Sequence, residues 1–185
     1  GATLLLTIAA VTISSVVGLA AGIVAANYRD TPVDTGVMVA ALMGLSVPVF
    51  WLGMILIVLF SVRLPWFPVS GMAPPGGGDV LDYLRHLTLP ALTLGAANAG
   101  YVARFARSSL IEVLGEDYVR TATAKGQSRV RVVLKHALRN VMIRVATVQG
   151  MQFGYLLGGA VLTETVFSWP GIGTLMLKAI LSRDF

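Results

Sequence analysis

The chain has 185 residues, of which 56% are hydrophobic and only 12% are charged, and its formal net charge is +5. Soluble globular domains carry about 25% charged residues and disordered chains are more polar still, so a mean hydropathy of +0.79 argues against both classes. The chain has no cysteine, which excludes disulfides, cysteine nucleophiles and thiolate metal sites within it. We therefore expect an integral membrane protein.

Four stretches of the sequence are apolar, free of charged residues and long enough to cross a bilayer. A hydrocarbon core about 30 Å thick is crossed by about 20 apolar helical residues. The predicted spans are residues 1–26, 35–62, 87–103 and 145–163. Pro48 lies inside the second span and is expected to kink it.

A shorter apolar stretch follows the fourth span. Residues 165–177 are interrupted by the sequence SWPG at 168–171, and proline is favoured in the first turn of a new helix. We predict a re-entrant or interfacial helix on the outer side here. The fold class expected from the sequence is thus an all-α polytopic membrane helix bundle with four spans.

The distribution of lysine and arginine predicts the orientation. Loop 27–34 and segment 104–144 together carry ten basic residues, and they lie on the same side of the membrane. The other side carries four: Arg63, Arg85, Lys178 and Arg183. Because cytoplasmic loops carry the excess of basic residues, 27–34 and 104–144 are predicted to be cytoplasmic. Segment 104–144 carries most of the basic residues, so the positive net charge reflects the predicted orientation and nucleic-acid binding is not expected.

The cytoplasmic segment 104–144 divides into three predicted pieces. Residues 104–114 continue the third span as a helix, and 117–125 form a short helix with Gly126 at its C′ position. Ser128 caps a third helix that runs into the fourth span. Its apolar residues follow the helical period: Val130, Val133, Leu134, Ala137, Leu138 and Val141. Such an amphipathic helix suits either anionic lipid headgroups or a cytoplasmic partner, and the residues alone favour neither.

Amide side chains inside the predicted spans are candidates for the permeation pathway. Asn98, Gln149 and Gln152 either line it or bond to another helix, because an amide in hydrocarbon needs a partner or water. The same choice applies to Tyr101. Glu164, at the outer end of the fourth span, is expected to snorkel to the interface, where acids are tolerated better than at the centre.

Small residues at four-residue spacing predict close helix packing. Gly150, Gly154 and Gly158 lie on one face of the fourth span. Gly18 and Gly22 have the same spacing in the first span.

The segment EDYVRTATAKG at 116–126 resembles the cytoplasmic signature loop, or EAA motif, of ABC-transporter permeases. That pattern is Glu-Ala-Ala, three residues, Gly, nine residues, then Ile-x-Leu-Pro. Three positions match: Ala122, Gly126 and Leu138. Four positions depart from it: Arg120, Thr121, His136 and Arg139. Longer phrases resemble the dipeptide and oligopeptide importer branch, in order and over essentially all 185 residues: VPVFWLGMILIVLFSVRLPWFPVSG, LKHALRN and QFGYLLGGAVLTETVFSWPGIG.

This resemblance implies a type I importer permease of the bacterial inner membrane, with residues 1–185 as one transmembrane domain from a longer, six-span parent. The implied partners are a second permease subunit, two cytoplasmic ATPases that hold ATP and Mg²⁺, an extracytoplasmic solute-binding protein and the lipid bilayer. The short cytoplasmic helix would be the coupling helix that seats on an ATPase. Its implied contact residues are Tyr118, Arg120, Thr121, Ala122, Lys125 and Gly126. On the outer side, Glu164 and Trp169 are the candidates for a gate or a contact with the binding protein.

No catalytic motif is present in the sequence. It contains neither a G-x-x-x-x-G-K-[ST] phosphate loop nor H-E-x-x-H, so we expect no ATP hydrolysis, metal site, cofactor or catalytic residue in this chain. Alternatives are the same architecture importing nickel chelates or glutathione, an ion-gradient transporter, a membrane enzyme and a structural assembly factor. An ion-driven carrier would need an ionisable residue at mid-membrane, and the four predicted spans have none.

Overall fold

A computed structural model describes residues 1–74 and 76–182, and all the regular secondary structure in this part of the chain is helical. The helices are α1 (Ala2–Asn27), α2 (Pro32–Ser46), α3 (Val49–Leu56) with a π-helical extension (Ile57–Arg63), α4 (Val80–Leu114), α5 (Asp117–Ala124), α6 (Arg129–Arg131) with a second π-helical segment (Val132–Ala137), α7 (Leu138–Gly159), α8 (Val161–Val166) and α9 (Ile172–Ser182). Arg183, counted above on the outer side, lies outside the described residues.

One described helix, α1, is long and apolar enough by length and composition to cross a membrane. The bent pair formed by Pro32–Ser46 and Val49–Arg63 adds a second span if it is taken as one broken helix. The predicted spans 87–103 and 145–163 lie within α4 and α7–α8. These helices contain polar amides inside the predicted spans and charged residues outside them. The helical content of all four stretches is confirmed, while the number of spans stays a prediction.

The expected kink at Pro48 is confirmed. Helix α2 ends at Ser46, and the next two residues are extended, with ψ of 125° at Val47 and 131° at Pro48. The axes on either side of this break differ by 99°. The cause is local, because the proline ring disfavours helical geometry at the residue that precedes it.

Helix α4 is the central element of the bundle. It begins with a capping box in which Asp79 accepts from the Asp82 backbone and Asp82 accepts from the Asp79 backbone, and it continues without a break past residue 104 into the cytoplasmic segment, as predicted. Its closest neighbour is α1. A Cβ built at Gly22 of α1 would lie 2.7 Å from the Ala103 carbonyl oxygen, and one built at Gly18 would lie 2.8 Å from that of Ala99.

The glycines of α7 do not make the close contact predicted for them. A Cβ built at Gly150, Gly154 or Gly158 would meet no atom within 4 Å in the described part of the chain. The spacing does place the three on one face, but that face points away from α1 and α4. Small residues permit close packing and do not choose the partner.

Two groups of buried apolar residues hold the bundle together, and we name them after the sides of the membrane predicted from the sequence. The cytoplasmic cluster joins the end of α1 to α4, α5, the second π-helical segment and α7: Ala26, Val102, Ala106, Leu110, Val113, Val119, Ala122, Val132, Val133, Ala137, Val141 and Val145. The outer cluster joins α1, α4, α7 and the segment before α9: Leu6, Ala10, Leu87, Ala91, Leu94, Leu156, Ala160 and Trp169. The first of these clusters positions α5.

Candidate functional site

Helix α5 is short, and its end is fixed by a Schellman motif. The backbone N–H of Gly126 donates to the Thr123 carbonyl (2.9 Å), and the N–H of Gln127 donates to the Ala122 carbonyl (3.4 Å). Gly126 has φ of +78°, the left-handed region that glycine adopts without a Cβ penalty. The predicted short helix and the predicted role of Gly126 at its end are both confirmed.

Helix α5 has one buried face and one exposed face. Val119 and Ala122 are only 3% and 7% exposed and belong to the cytoplasmic cluster. The exposed positions are Asp117, Tyr118, Arg120, Thr121, Thr123, Ala124 and Lys125. The Ala122 side chain packs against its own bundle, so a contact between Ala122 and a partner stays a prediction and would use the exposed positions beside it.

Three side-chain contacts fasten this region to the following helices. The Asn140 amide of α7 donates to the Tyr118 hydroxyl (2.6 Å), so this hydroxyl already has a hydrogen-bond partner within the chain. His136 Nε2 donates to Gln127 Oε1 (2.9 Å), which holds the turn after Gly126. Arg144 donates to Glu112 (2.6 Å), and this hydrogen bond raises the pKa of Arg144 above its ordinary value. Helix α5 is thereby attached to α7 as well as to α4.

The amphipathic pattern after Ser128 is only partly realised. Val133, Ala137 and Val141 are buried as predicted, but Val130 and Leu134 are 68% and 57% exposed. Residues 132–137 are π-helical, and a π-helical turn contains more residues than an α-helical one, so the buried face moves to include Val132. The predicted Ser128 cap is present as a backbone contact from Arg131 to the Ser128 hydroxyl (3.4 Å).

A bidentate ion pair joins α2 to the cytoplasmic half of α4. Arg107 Nε and Nη2 donate to the two carboxylate oxygens of Asp34, each at 2.6 Å, and the Asp34 residue is only 4% exposed. The carboxylate also accepts from the backbone N–H of Asp30 (3.0 Å), whose φ is +61°. The hydrogen bond from Arg107 lowers the pKa of Asp34 below its ordinary value of 3.8, although burial opposes this shift.

We expect Asp34→Asn to lower the melting temperature of the detergent-solubilised parent at neutral pH, because the Arg107 guanidinium loses its carboxylate. The pKa of Asp34 is lower in the folded state than in the unfolded state, so the pair stabilises the fold above the unfolded pKa and loses its effect as the pH falls through the folded one. The difference in melting temperature between wild type and variant should be steady near neutrality and narrow below about pH 4. A difference that does not narrow in acid would contradict this assignment.

A cluster of amides and hydroxyls, here termed the amide cluster, joins three helices in the middle of the bundle. Asn98 Nδ2 of α4 donates to Ser14 Oγ (2.8 Å) and to Gln149 Oε1 (3.0 Å), and Asn98 Oδ1 accepts from Gln152 Nε2 (3.0 Å). Gln149 Nε2 in turn donates to Ser15 Oγ of α1. Of the two alternatives left open by the sequence, the structure shows helix-to-helix bonding for all three amides.

A cavity of about 430 Å³ opens beside the amide cluster, at the break between α2 and α3. Its polar wall includes Asn98, Tyr101 and Gln152, and Pro48 lies at its edge. Gln149 does not line it, because its amide is turned towards α1. Two of the three predicted pathway residues therefore have access to this cavity.

Glu164 and Trp169 lie in the interior at the opposite end of the bundle from α5. Both are 0% exposed. The Glu164 carboxylate accepts from the Thr3 hydroxyl of α1 (2.7 Å), and the Trp169 indole N–H donates to the Ala2 carbonyl (3.0 Å). The predicted snorkelling of Glu164 is wrong, and neither side chain offers a surface that a separate protein can touch in this conformation.

Sequence reasoning missed several of these polar residues. Asp34 and Arg107 are 73 residues apart, and Thr3 and Glu164 are 161 apart, so no local pattern connects either pair. The sequence offered one signal for the ion pair: Asp34 and Arg107 both lie at the predicted cytoplasmic ends of consecutive spans. Among the described residues, no group of three His, Asp or Glu side chains is placed to hold a metal ion.

Comparison with known families gives one match. Residues 18–185 match the family model described as "Binding-protein-dependent transport system inner membrane component".

Two curated relatives are similar over the whole chain. The di/tripeptide transport system permease protein DppB of Pseudomonas aeruginosa (strain UCBPP-PA14) is 51% identical, over 100% of this chain and 60% of its own length. The glutathione transport system permease protein GsiC of Escherichia coli (strain K12) is 49% identical, over 99% of this chain and 57% of its own length. The chain thus spans somewhat more than half the length of these relatives.

Two solved structures share the fold. A chain of the MetNI methionine ABC transporter in inward facing conformations superposes with a TM-score of 0.75 at 17% identity, over 96% of this chain and 76% of its own. A chain of an amino acid ABC transporter with histidines gives 0.65 at 15% identity, over 98% and 74%. At these identities the likeness concerns the fold alone.

Proposed function

Because the chain belongs to the family of inner membrane components of binding-protein-dependent transport systems, we propose that its parent is the permease subunit of an ATP-driven importer of short peptides. The parent forms half of a translocation pathway and pairs with a second permease subunit. An extracytoplasmic binding protein delivers the solute, and two cytoplasmic ATPases hold the ATP and Mg²⁺.

The exposed face of α5 is the observation that carries this proposal. Arg120, Thr121 and Lys125 project from a helix whose other face is anchored in the cytoplasmic cluster. A projecting helix that is fixed to its own bundle can pass a displacement to that bundle, whereas a loosely attached helix cannot. In this proposal α5 seats on an ATPase, and Gly126 provides the turn that returns the chain to α7.

The proposed topology has four spans, at 1–26, 35–62, 87–103 and 145–163, with α5 in the cytoplasm, as in a type I importer. The ten basic residues of segments 27–34 and 104–144 support this orientation. The shared fold with chains of two ABC transporters supports the architecture. Helix α9 then lies on the outer side as a re-entrant or interfacial helix.

The cavity beside the amide cluster is the proposed part of the pathway in this chain. Its polar groups, from Asn98, Tyr101 and Gln152, are neutral donors and acceptors. Such groups suit a peptide backbone and discriminate little between side chains. Peptide import is favoured because the DppB relative is a di/tripeptide permease, and glutathione, itself a tripeptide, is the second candidate because of the GsiC relative.

The parent should copurify with an ATPase when it is extracted in mild detergent. We expect Arg120→Glu combined with Lys125→Glu to remove the ATPase, because both charges are on the exposed face of α5. Arg85→Glu, a single charge reversal at an exposed position near the opposite end of α4, is the control and should retain it. An ATPase that is absent from the wild-type preparation, under conditions where related complexes survive, would favour an ion-driven carrier instead.

The cargo is tested separately, by uptake of labelled dipeptide and labelled glutathione in cells that express the full system. Saturable uptake of the dipeptide, competed by unlabelled peptides, is expected. Uptake of glutathione alone would assign the second candidate.

A further inference from the structure

The carboxylate of Glu164 is buried among the ends of three helices, α1, α8 and α9. Glu164 is 0% exposed, and none of the ion pairs between described residues includes it. Its two oxygens instead accept hydrogen bonds. Oε1 accepts from the Thr3 hydroxyl (2.7 Å), and Oε2 accepts from the backbone N–H of Thr174 in α9 (3.1 Å).

Thr3 extends this contact to the first residue of α9. Its oxygen accepts from the backbone N–H of Ile172 (2.8 Å) while its hydroxyl donates to Glu164. The first turn of a helix leaves backbone N–H groups without intrahelical partners. Here side chains from α1 and α8 satisfy two of them, so these side chains cap a helix to which they do not belong.

Two glycines leave room for the carboxylate. A Cβ built at Gly171 would overlap the Glu164 carboxylate, and one built at Gly173 would lie 2.8 Å from Oε2. Neither position tolerates a side chain while Glu164 stays in place. We term Thr3, Glu164, Gly171 and Thr174 the outer junction.

The body of α9 has little other attachment. Leu175, Met176 and Ile180 are between 57% and 63% exposed, and Gly173 is the residue of α9 that is buried. The direction in which α9 leaves the bundle is therefore set by its first turn, where the outer junction holds it.

We propose that Glu164 is a positioning residue that latches α9 across the outer end of α1. Both partners of the carboxylate are donors, and an ionised carboxylate is an acceptor at both oxygens. Glutamine has the same shape but no charge, so both hydrogen bonds lose the strength that the carboxylate gives them, and its NH₂ group can pair with Thr3 only if the Thr3 hydroxyl accepts instead of donating. The description of this end as outer and the transport result expected below rest on the proposed function, whereas the latch itself does not.

The latch is tested by the accessibility of a buried cysteine at residue 163. Thr163 is fully buried beside Glu164, and its hydroxyl has no hydrogen-bond partner, so Thr163→Cys removes no bond. The full-length parent, with any other cysteine replaced, carries this probe in detergent, where labelling by a maleimide does not depend on orientation. We expect slow labelling in the otherwise wild-type protein.

Glu164→Gln and Thr3→Val should each label about tenfold faster, as expected when an opening equilibrium loses one hydrogen bond to a charged group. Thr3→Ser, which keeps the hydroxyl, should restore slow labelling. Thr165→Val, an exposed neighbour on α8 whose hydroxyl bonds only within its own helix, is the matched control and should label slowly. Thr3→Val decides the question if Glu164→Gln does not fold.

Unchanged labelling in Thr3→Val and Glu164→Gln, or an equal increase in Thr165→Val, would overturn the latch. The labelling result does not need a transport assay, so it stands even if no ATPase copurifies with the parent. In the assembled importer, Glu164→Gln should retain the ATPase and lose most peptide uptake, whereas Thr3→Ser should keep both.

Discussion

Replacing Ala122 with arginine is expected to unfold the cytoplasmic end of the bundle and not merely to detach a partner. Ala122 is 7% exposed and packs in the cytoplasmic cluster with Val119. An arginine there must either bury an unpaired charge or displace α5 from the bundle. We expect a loss of about 3–5 kcal/mol in the free energy of unfolding, the range seen when a buried charge is left without its partner.

Thr121→Arg is the matched control for this change. Thr121 is adjacent on α5 but exposed, so the same side chain can extend into water there at little cost in stability. Both variants can be followed by thermal unfolding and by the yield of monodisperse protein in detergent. If Ala122→Arg is as stable as Thr121→Arg, then α5 does not pack as the structure shows.

Buried and exposed positions of α5 have to be distinguished when mutations are used to test the coupling between α5 and an ATPase. Both variants are expected to lose the ATPase, Ala122→Arg because α5 is displaced and Thr121→Arg because the docking face is blocked. Only the exposed variant reports on docking, since it leaves the fold intact. The EAA-type pattern alone does not separate these two positions, because it gives no direction to the side chains.

Gly22→Leu is expected to have a comparably large effect in the membrane part of the chain. A Cβ at Gly22 would lie 2.7 Å from both the Ala103 carbonyl oxygen and the Ala106 Cβ, so a leucine must push α1 away from α4. Overpacking of this kind costs about 1–3 kcal/mol, and we expect the upper end because a backbone atom blocks the way. Thermal unfolding of the detergent-solubilised parent measures this cost.

Gly154→Leu is the control with the same change of side chain at a glycine that has open space around it. No described atom lies within 4 Å of a Cβ built there, so the free energy of unfolding of the separated subunit should be unchanged. Equal destabilisation by the two variants would show that α7 packs differently from the described arrangement.

Local features of this fold could be read from the sequence. The break at Pro48, the glycine at the end of α5 and the continuation of α4 past residue 104 each depend on a few neighbouring residues, and all three are confirmed. Glycine spacing likewise predicted a close helix contact at Gly18 and Gly22, and the structure identifies α4 as the partner. Local conformational preference is enough for such features, since the energies involved act within one or two turns.

Features that depend on which surfaces meet could not be read in the same way. The α7 glycines have the spacing of the α1 glycines but face open space, and Glu164 is paired with a threonine 161 residues away. The resemblance grouped Ala122 with the exposed residues of α5, whereas in the structure it shares a buried face with Val119, three residues before it. In each case the residue type was informative, but its neighbours are determined by the tertiary fold.

The unbroken length of α4 makes it a lever arm. Its 35 residues correspond to about 50 Å, well beyond the ~30 Å of hydrocarbon. A rigid rod of that length that pivots by ~10° at one end moves its other end by ~9 Å, close to the diameter of a helix. A small rotation about the predicted cytoplasmic end of α4, where Arg107 ties it to α2, is therefore enlarged by the length of the helix at its other end.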